Sequence, residues 1–433
     1  MLDLSVVRNH PDRVRRAIRD KGLQPVEGGS ESPSGEVDRF LRLDEQRRIL
    51  LQKVETLRHQ RNVLSGTIGR LRQTQQETYD QVAGMKRLKE QMKVLEDQIR
   101  SVESGWKQAL LHLPNIPAPS VPVGHTTSDN RFVRSWGDIP HPDFRPFPHW
   151  ELGERLGIVD LPRAGLIAGM GFPLLKGLGA RLQRALGTFM LDLHTEQHGY
   201  IEVQPPYLAR RLSLMAAGQL PRMEPCMYRC EADDLFLIPA PEVPLTNLHQ
   251  GEILAADALP LRYVACTPCF RREAGSYGTS TRGLIRLHQF DQVQLVKFVR
   301  PETSDHELER LVQDAEEVLR RLELPYRVME LCTGQLSFAA ARGYAIEVWA
   351  AGVQRYLEVS TCTSFTDFQS RRANIRYRPD RTSKAQWVHT VNGSALALPR
   401  TLIALMENHQ TAEGSIRIPE ALKLYMGGCP QIG

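Results

Sequence analysis

Between Thr267 and Gln294 the chain reads TPCFRREAGSYGTSTRGLIRLHQFDQVQ, with arginine, glutamate and phenylalanine at spacings that could handle a nucleotide. The planar fork of arginine matches phosphate oxygens. An aromatic face can stack on a base, and a carboxylate can accept an amine hydrogen. The residues of those types are Arg271, Glu273, Arg286 and Phe290. A surface hairpin laced with ion pairs would use the same residue types, and short motifs carry false positives.

The elements that must position these residues are legible on either side. Leu261–Cys266 is apolar and β-prone and reads as a buried strand. Arg271 and Glu273 follow on alternate positions, so in a continuing strand they would share a face. Gly275, Gly278 and Gly283 break the middle into a loop. Arg286, His288 and Phe290 then alternate in a returning strand. Further on, Leu235–Pro239, Tyr326–Cys332, Ala345–Trp349 and Tyr356–Ser360 read as strands, and Ser304–Leu322 as an amphipathic helix with Ser304 as N-cap. Gly179–Thr195 is a second such helix, followed by the strand Gly199–Val203 and then Pro205-Pro206. Hairpins with flanking helices predict an antiparallel sheet in an α+β domain. Neither Gly-x-Gly-x-x-Gly nor a P-loop word occurs.

The N-terminal part has a different periodicity. Val7, Val14, Ala17 and Ile18 mark a short helical piece, and 26–36 a Gly/Ser/Pro link. From about Val37, Leu43, Leu50, Leu57, Leu64 and Leu71 repeat every seven residues, a coiled-coil seam interrupted by Arg61. Residues 73–84 are expected to turn the chain. Met85, Met92, Ile99 and Trp106 then continue the seven-residue spacing, which predicts a two-helix antiparallel arm. Arg39–Lys107 carries fifteen Lys and Arg against nine Asp and Glu, so the positive excess of the chain, +5 in all, sits on this arm. Such charges fit a solvated face or a groove for a phosphate backbone. The proline-rich stretch 114–148 reads as a linker, giving expected boundaries of 1–113, 114–148 and 149–433.

The 433 residues allow two or three domains, and 41% hydrophobic residues suit a globular protein. No apolar run reaches the ~18–20 residues that span a bilayer. The N-terminus lacks a signal-peptide core, which predicts a cytoplasmic protein with no membrane contact. Seven cysteines over so long a chain argue against a disulfide framework. The spacings of Cys226, Cys230, Cys266 and Cys269 are irregular for a zinc site, and small buried thiols are the expectation.

The words CFRREAGSYG, TRGLIRLHQFD and HTVNGSALALPRTLIALMEN resemble motifs 2 and 3 of class II aminoacyl-tRNA synthetases, and most closely seryl-tRNA synthetases. The resemblance runs from MLDLSVVRNHPD to IPEALKLYMGG. It implies ATP-dependent activation of serine and transfer to tRNA(Ser), with tRNA(Sec) as a further candidate acceptor. It implies an arm that grips tRNA, and a homodimer built on the helix and strand at 179–203. Residue by residue it implies that Arg271, beside Arg272, holds the α-phosphate and the carboxylate. Glu273 meets the adenine amine, Phe290 stacks on adenine, and Arg286 meets the distal phosphates. Glu358-Val359-Ser360-Thr361 stands where the family has Glu-Ile-Ser-Ser, so Glu358 and Thr361 are the implied Mg2+ ligands. Arg400, at the head of an expected helix 401–408, lies on the adenine side. Arg271, Glu273 and Arg400 are the implied catalytic residues.

The amino acid side departs from the family pattern. Ala240-Pro241-Glu242 stands where the family has Thr-Ala-Glu, and Gln294 where it has Glu, while Asn392 and Ser394 remain. Gln335, Ser337 and Ala345 differ as well, and these changes are expected to cluster on one side of the pocket. The departures leave open a ligase for another small amino acid or a non-tRNA acceptor. A non-catalytic tRNA-binding protein is disfavoured, because a scaffold has no need of phosphate-binding arginines together with metal ligands.

Overall fold

A computed structural model describes residues 1–25, 32–273 and 282–433. Gly275 and Gly278 lie outside these residues, as does most of the expected link at 26–36. The chain forms two compact units, Leu2–Pro114 and Asn115–Gly433, with Met1 assigned to the latter.

In the first unit, Asp3 caps α1 (Leu4–Asn9) by accepting from Ser5 N at 2.7 Å, and Pro11 opens α2 (Pro11–Asp20). Proline suits that position because the first helical N–H has no partner anyway. The arm is α3 (Gly35–Gln73) and α4 (Tyr79–Leu111). The connection is shorter than the sequence suggested: only 74–78 turn, and Gly84 lies inside α4, its Cα facing Leu64. Polar glutamines and a glycine masked the first turn of that helix, which pairing against α3 stabilises. Leu50, Val54, Ile99 and Val102 form the buried seam, and Leu57, Leu64 and Leu71 are half-buried. At one end of the seam Asp44 accepts from Arg8 at 2.7 and 2.8 Å and from Trp106 Nε1 at 3.1 Å. Arg61 sits half-buried on the seam with its guanidinium turned to Asn62 Oδ1, 3.2 Å away.

The second unit is α+β. Its eight-stranded sheet comprises β1 (Arg131–Trp136), β2 (Ile201–Glu202), β3 (Leu261–Phe270), β4 (Gln289–Val299), β5 (Tyr326–Glu330), β6 (Arg342–Ala350), β7 (Arg355–Thr366) and β8 (His389–Ala397). The order is β1-β5-β6-β7-β8-β4-β3-β2, antiparallel throughout except for the parallel β2–β3 pair at the edge. Helices α5 (Leu178–Glu196), α7 (Ser304–Arg321) and α8 (Leu398–Asn408) pack apolar faces into one core with the sheet, and a short α6 (Glu242–Thr246) lies nearer the site. Thr303, not Ser304, occupies the cap position of α7; Ser304 is its first residue, 3.3 Å from Ser364 Oγ.

Two sequence expectations change here. The stretch read as an aperiodic linker contains β1, an edge strand paired with β5. Prolines on both sides hid it, and its mostly exposed residues lack the alternation that a half-buried strand displays. The hairpin strands are also shorter at their tips than the alternation of Arg271, Glu273, Arg286 and His288 implied. Arg271 N still donates to His288 O at 2.9 Å, but His288 N donates to Gly171 O at 2.8 Å, which ends the ladder. Glu273 then takes φ = 44°, a left-handed conformation that no strand uses. Gly171, at φ = 82°, is required there, since a Cβ would come within 2.5 Å of the His288 ring.

Candidate active site

Where β3 and β4 leave the sheet, their ends meet the outer part of β7 and the first turn of α8 around a cleft. Arg271, Glu273, Arg286, Phe290, Glu358, Val359, Ser360, Thr361, Ser394 and Arg400 line it, with Ile285, Gln292 and Pro399. The Arg271 guanidinium stands 5.1 Å from the centre of the Phe290 ring, and its Nε donates to Pro239 O at 3.2 Å. Glu273 pairs with Arg286. Arg400 donates from Nε to Ile285 O at 3.3 Å and from Nη1 to Glu358 O at 2.6 Å, so it ties the hairpin to β7. Burial lowers its pKa, with Glu358 opposing the shift. Three arginines against two carboxylates leave the lining with an excess of positive charge, as a polyphosphate requires.

A β-bulge shapes the metal-binding candidates. In a regular strand, residues three apart point to opposite faces. On β7, Ser360 is opposite Ile346 and Glu358 opposite Glu347, so Val359 is the extra residue. The bulge brings Glu358 and Thr361 to one face, where Thr361 Oγ1 donates to Glu358 Oε1 at 2.9 Å. Ser360 turns inward instead, its hydroxyl donating to Ser394 O at 2.6 Å. The two cavity-facing groups are oxygen donors, a set that fits a hard divalent cation.

A second cavity adjoins the first and shares Arg271, Glu273 and Arg286 with it. Gln219, Met223, Cys226, Met227, Pro239, Ala240 and Glu242 complete its wall. Glu242 is 9% exposed, and its carboxylate accepts three amide hydrogen bonds: Gln369 at 2.7 Å, Asn392 at 3.1 Å and Gln219 at 3.3 Å. Burial pushes its pKa up, and the three amides and Arg271 oppose that shift without cancelling it. Behind it the amides continue in one direction. Gln292 Nε2 donates to Gln294 Oε1 at 2.5 Å, and Gln294 Nε2 to Asn392 Oδ1 at 3.1 Å.

Not every expected residue reaches a cavity. Arg272 lies over the Tyr228 ring at 5.4 Å. Pro241 is the cap residue of α6, and Gln294 and Asn392 are each only 4% exposed behind the cavity wall. The departures do not form one cluster. Gln335 donates to His125 O at 3.0 Å, and Ala345 packs with Val121 and Leu331, so both serve the sheet rather than the pocket. Burial pushes the Cys266 and Cys269 thiols up to about 12, so both are neutral. Among the described residues no three His, Cys, Asp or Glu side chains converge as a metal cluster would need.

Sequence reasoning missed Gln219 and Gln369, which are silent until the fold brings them to Glu242, and Gln292, which the fold sets against Gln294. It also missed a buried tether. His149 accepts from Leu284 N at 3.0 Å, and its other ring nitrogen lies 2.8 Å from Glu407 Oε1. Since Nε2 accepts, Nδ1 donates. Glu407 also accepts from Gly352 N and Val353 N at 2.8 and 3.0 Å. The tether holds the returning segment that carries Ile285 and Arg286.

Comparison with known proteins extends the same picture over the whole chain. Residues 1–117 match the seryl-tRNA synthetase N-terminal domain, and 228–409 the class II tRNA synthetase core domain (G, H, P, S and T). The chain is 50% identical to a serine–tRNA ligase of Geobacter sulfurreducens, covering 100% of both chains. It is 51% identical to one of Thermomicrobium roseum, covering 100% of this chain and 95% of that one. Among solved structures it resembles a seryl-tRNA synthetase of Pyrococcus horikoshii complexed with ATP, with TM-score 0.91, 35% identity and coverage of 100% and 99%. A cytoplasmic serine–tRNA ligase of Naegleria fowleri in complex with AMP gives TM-score 0.84 at 25% identity, covering 100% and 98%.

Proposed function

The chain belongs to the seryl-tRNA synthetase family, and on that premise we propose how its residues divide the joining of serine to tRNA with ATP. The observation that carries the assignment is the set of Arg271, Glu273, Arg286, Phe290, Glu358, Thr361 and Arg400 around one cleft, adjoined by a cavity built on Glu242.

The serine carboxylate attacks the α-phosphorus of ATP and pyrophosphate leaves, giving seryl-adenylate; a hydroxyl of the terminal ribose of tRNA then takes the acyl group as AMP leaves. Positioning and charge stabilisation dominate such a step, since negative charge gathers on the phosphoryl oxygens. Arg271 walls both cavities, so it orients the attacking carboxylate and the α-phosphate together. Phe290 and Arg400 hold the adenine, Glu273 accepts from its amine, and Arg286 meets the distal phosphates. For these contacts Arg286 exchanges its Glu273 partner for phosphate. Glu358 and Thr361 would hold Mg2+, which would supply positive charge against the phosphate oxygens.

Residues 1–113 carry tRNA recognition, with the basic arm along the phosphate backbone, and 149–433 the chemistry. The reading extends to a cytoplasmic homodimer that uses α5 and β2. Ile201 is 57% exposed on that edge strand, which supports the interface. No described helix is long and apolar enough to cross a membrane.

The test is amino-acid-dependent ATP–pyrophosphate exchange with serine against glycine, alanine, threonine, cysteine and diaminopropionate. Exchange with serine well above all others is expected. Exchange with another amino acid, or with none, overturns the assignment of serine.

A further inference from the structure

Arg286, which meets the distal phosphates in the proposed reading, ends a short segment that α8 holds at two points. We propose that His149 is a positioning residue for ATP. Together with Glu407 it latches Leu284–Arg286 to the far end of α8, and so presets Arg286 for the β- and γ-phosphates. This rests on the proposed reading of the cleft as an ATP site.

Arg400 and Glu407 lie seven positions apart on α8, about two turns, so they share one face of the helix roughly 10 Å apart. Both reach the same stretch of chain. Arg400 Nε donates to Ile285 O at 3.3 Å. Glu407 reaches that stretch through His149, whose Nε2 accepts from Leu284 N at 3.0 Å while Nδ1 donates to Glu407 Oε1 at 2.8 Å. Glu407 is itself fixed. It accepts from His149 N at 2.9 Å and, in the turn between β6 and β7, from Gly352 N and Val353 N. His149, Leu284 and Glu407 are all buried, so a bond lost between them leaves a polar group away from water. His149 lines neither cavity, whereas Leu284, Ile285 and Arg286 all line the cleft, so the imidazole acts through them. Gly283 permits the approach: its φ is 76°, and a Cβ there would come within 2.2 Å of His149 Nε2. The Arg286 side chain is 43% exposed, so it takes its position from the backbone before it more than from packing around the guanidinium.

ATP and AMP are titrated calorimetrically, with Mg2+ present, into the full-length wild type, His149→Asn, His149→Gln, Gly283→Ala and Arg286→Ala. Exchange kinetics are run alongside. AMP lacks the two phosphates that Arg286 meets, so the ratio of ATP to AMP affinity reports on the latch. The shorter asparagine puts its NH2 where Nδ1 stood and keeps the bond to Glu407, but leaves Leu284 N without an acceptor. The longer glutamine puts its oxygen where Nε2 stood and keeps the bond from Leu284 N, while Glu407 loses a donor. His149→Asn should lose about 10-fold in ATP affinity with AMP changed less than about twofold, and should raise the KM for ATP by the same factor at constant serine KM. His149→Gln should restore the ratio to within about threefold of wild type. Gly283→Ala, which pushes the segment off an intact ring, should behave as His149→Asn does. A purely structural role for the Glu407 pair gives the reverse order, with glutamine the worse variant, and that order overturns the proposal. A ratio that falls in Arg286→Ala but holds in His149→Asn and Gly283→Ala overturns the latch and leaves the ATP reading standing. A ratio unchanged in Arg286→Ala overturns the reading of Arg286, and the latch with it.

Discussion

Arg271 touches both cavities, which makes it the residue whose loss separates chemistry from binding elsewhere. Its replacement by alanine should lower serine-dependent pyrophosphate exchange by at least about 100-fold, the usual effect of removing one donor from a developing anion. Exchange within about tenfold of wild type would refute the ATP-site assignment. Glu242 gives a pH signature. Because burial raises its pKa, it takes up a proton on acidification before an ordinary carboxylate near 4.5 does. The serine KM should therefore climb as the pH falls toward that value, while the KM for ATP stays flat. A serine KM independent of pH in that range would contradict the role of Glu242. At this scale Arg271, Glu273, Arg286 and Phe290, which line one cleft, were legible because their types and spacing stand out along the chain. Gln219, Gln292 and Gln369 were not, because an amide acquires a role only from the group it faces.

Elements place these side chains more finely than alternation can predict. The Val359 bulge puts Glu358 and Thr361 on one face, so Thr361→Ser should keep Mg2+-dependent exchange, while Thr361→Val should raise the Mg2+ requirement several-fold. Equal Mg2+ curves for the two variants would remove Thr361 from the metal site. A second element-level prediction concerns α5, where His194 is fully buried with Nδ1 2.9 Å from His198 Nδ1. Burial first, then His198 and Lys297, pull its pKa down from 6.5 to about 3, and contact with the Ala395 backbone opposes them. Between those values the unfolded chain binds a proton that the native state excludes. Stability should therefore fall as pH drops below 6.5, by roughly 1 kcal/mol per pH unit. Acid unfolding midpoints of wild type and His194→Asn should show a shallower slope in the variant. Parallel slopes would mean His194 is not the group responsible.

At the scale of the whole molecule the proposed reading gives tRNA recognition to the first of the two units and the chemistry to the second. Deleting residues 45–100 should spare adenylate formation and abolish tRNA charging. Charging at the wild-type rate by the truncated chain would sink the role of the arm. The seven-residue leucine repeat, the basic excess of the arm and the sheet-and-helix class were determined by sequence alone, since hydrophobic period and charge are local properties. So was the nucleotide-side motif, because its residues lie close together along the chain around one hairpin. Tertiary structure alone decided the rest. It made an edge strand of the proline-flanked stretch at 131–136, because a partner strand supplies hydrogen bonds that no local pattern records. It ended the hairpin ladder at His288 by lending it the Gly171 carbonyl, and turned Glu273 out of the strand. And it gathered Gln219, Glu242, Gln294, Gln369 and Asn392, spread over more than 170 positions, around one buried carboxylate. A charge that must be satisfied away from water takes its donors from wherever the fold brings them.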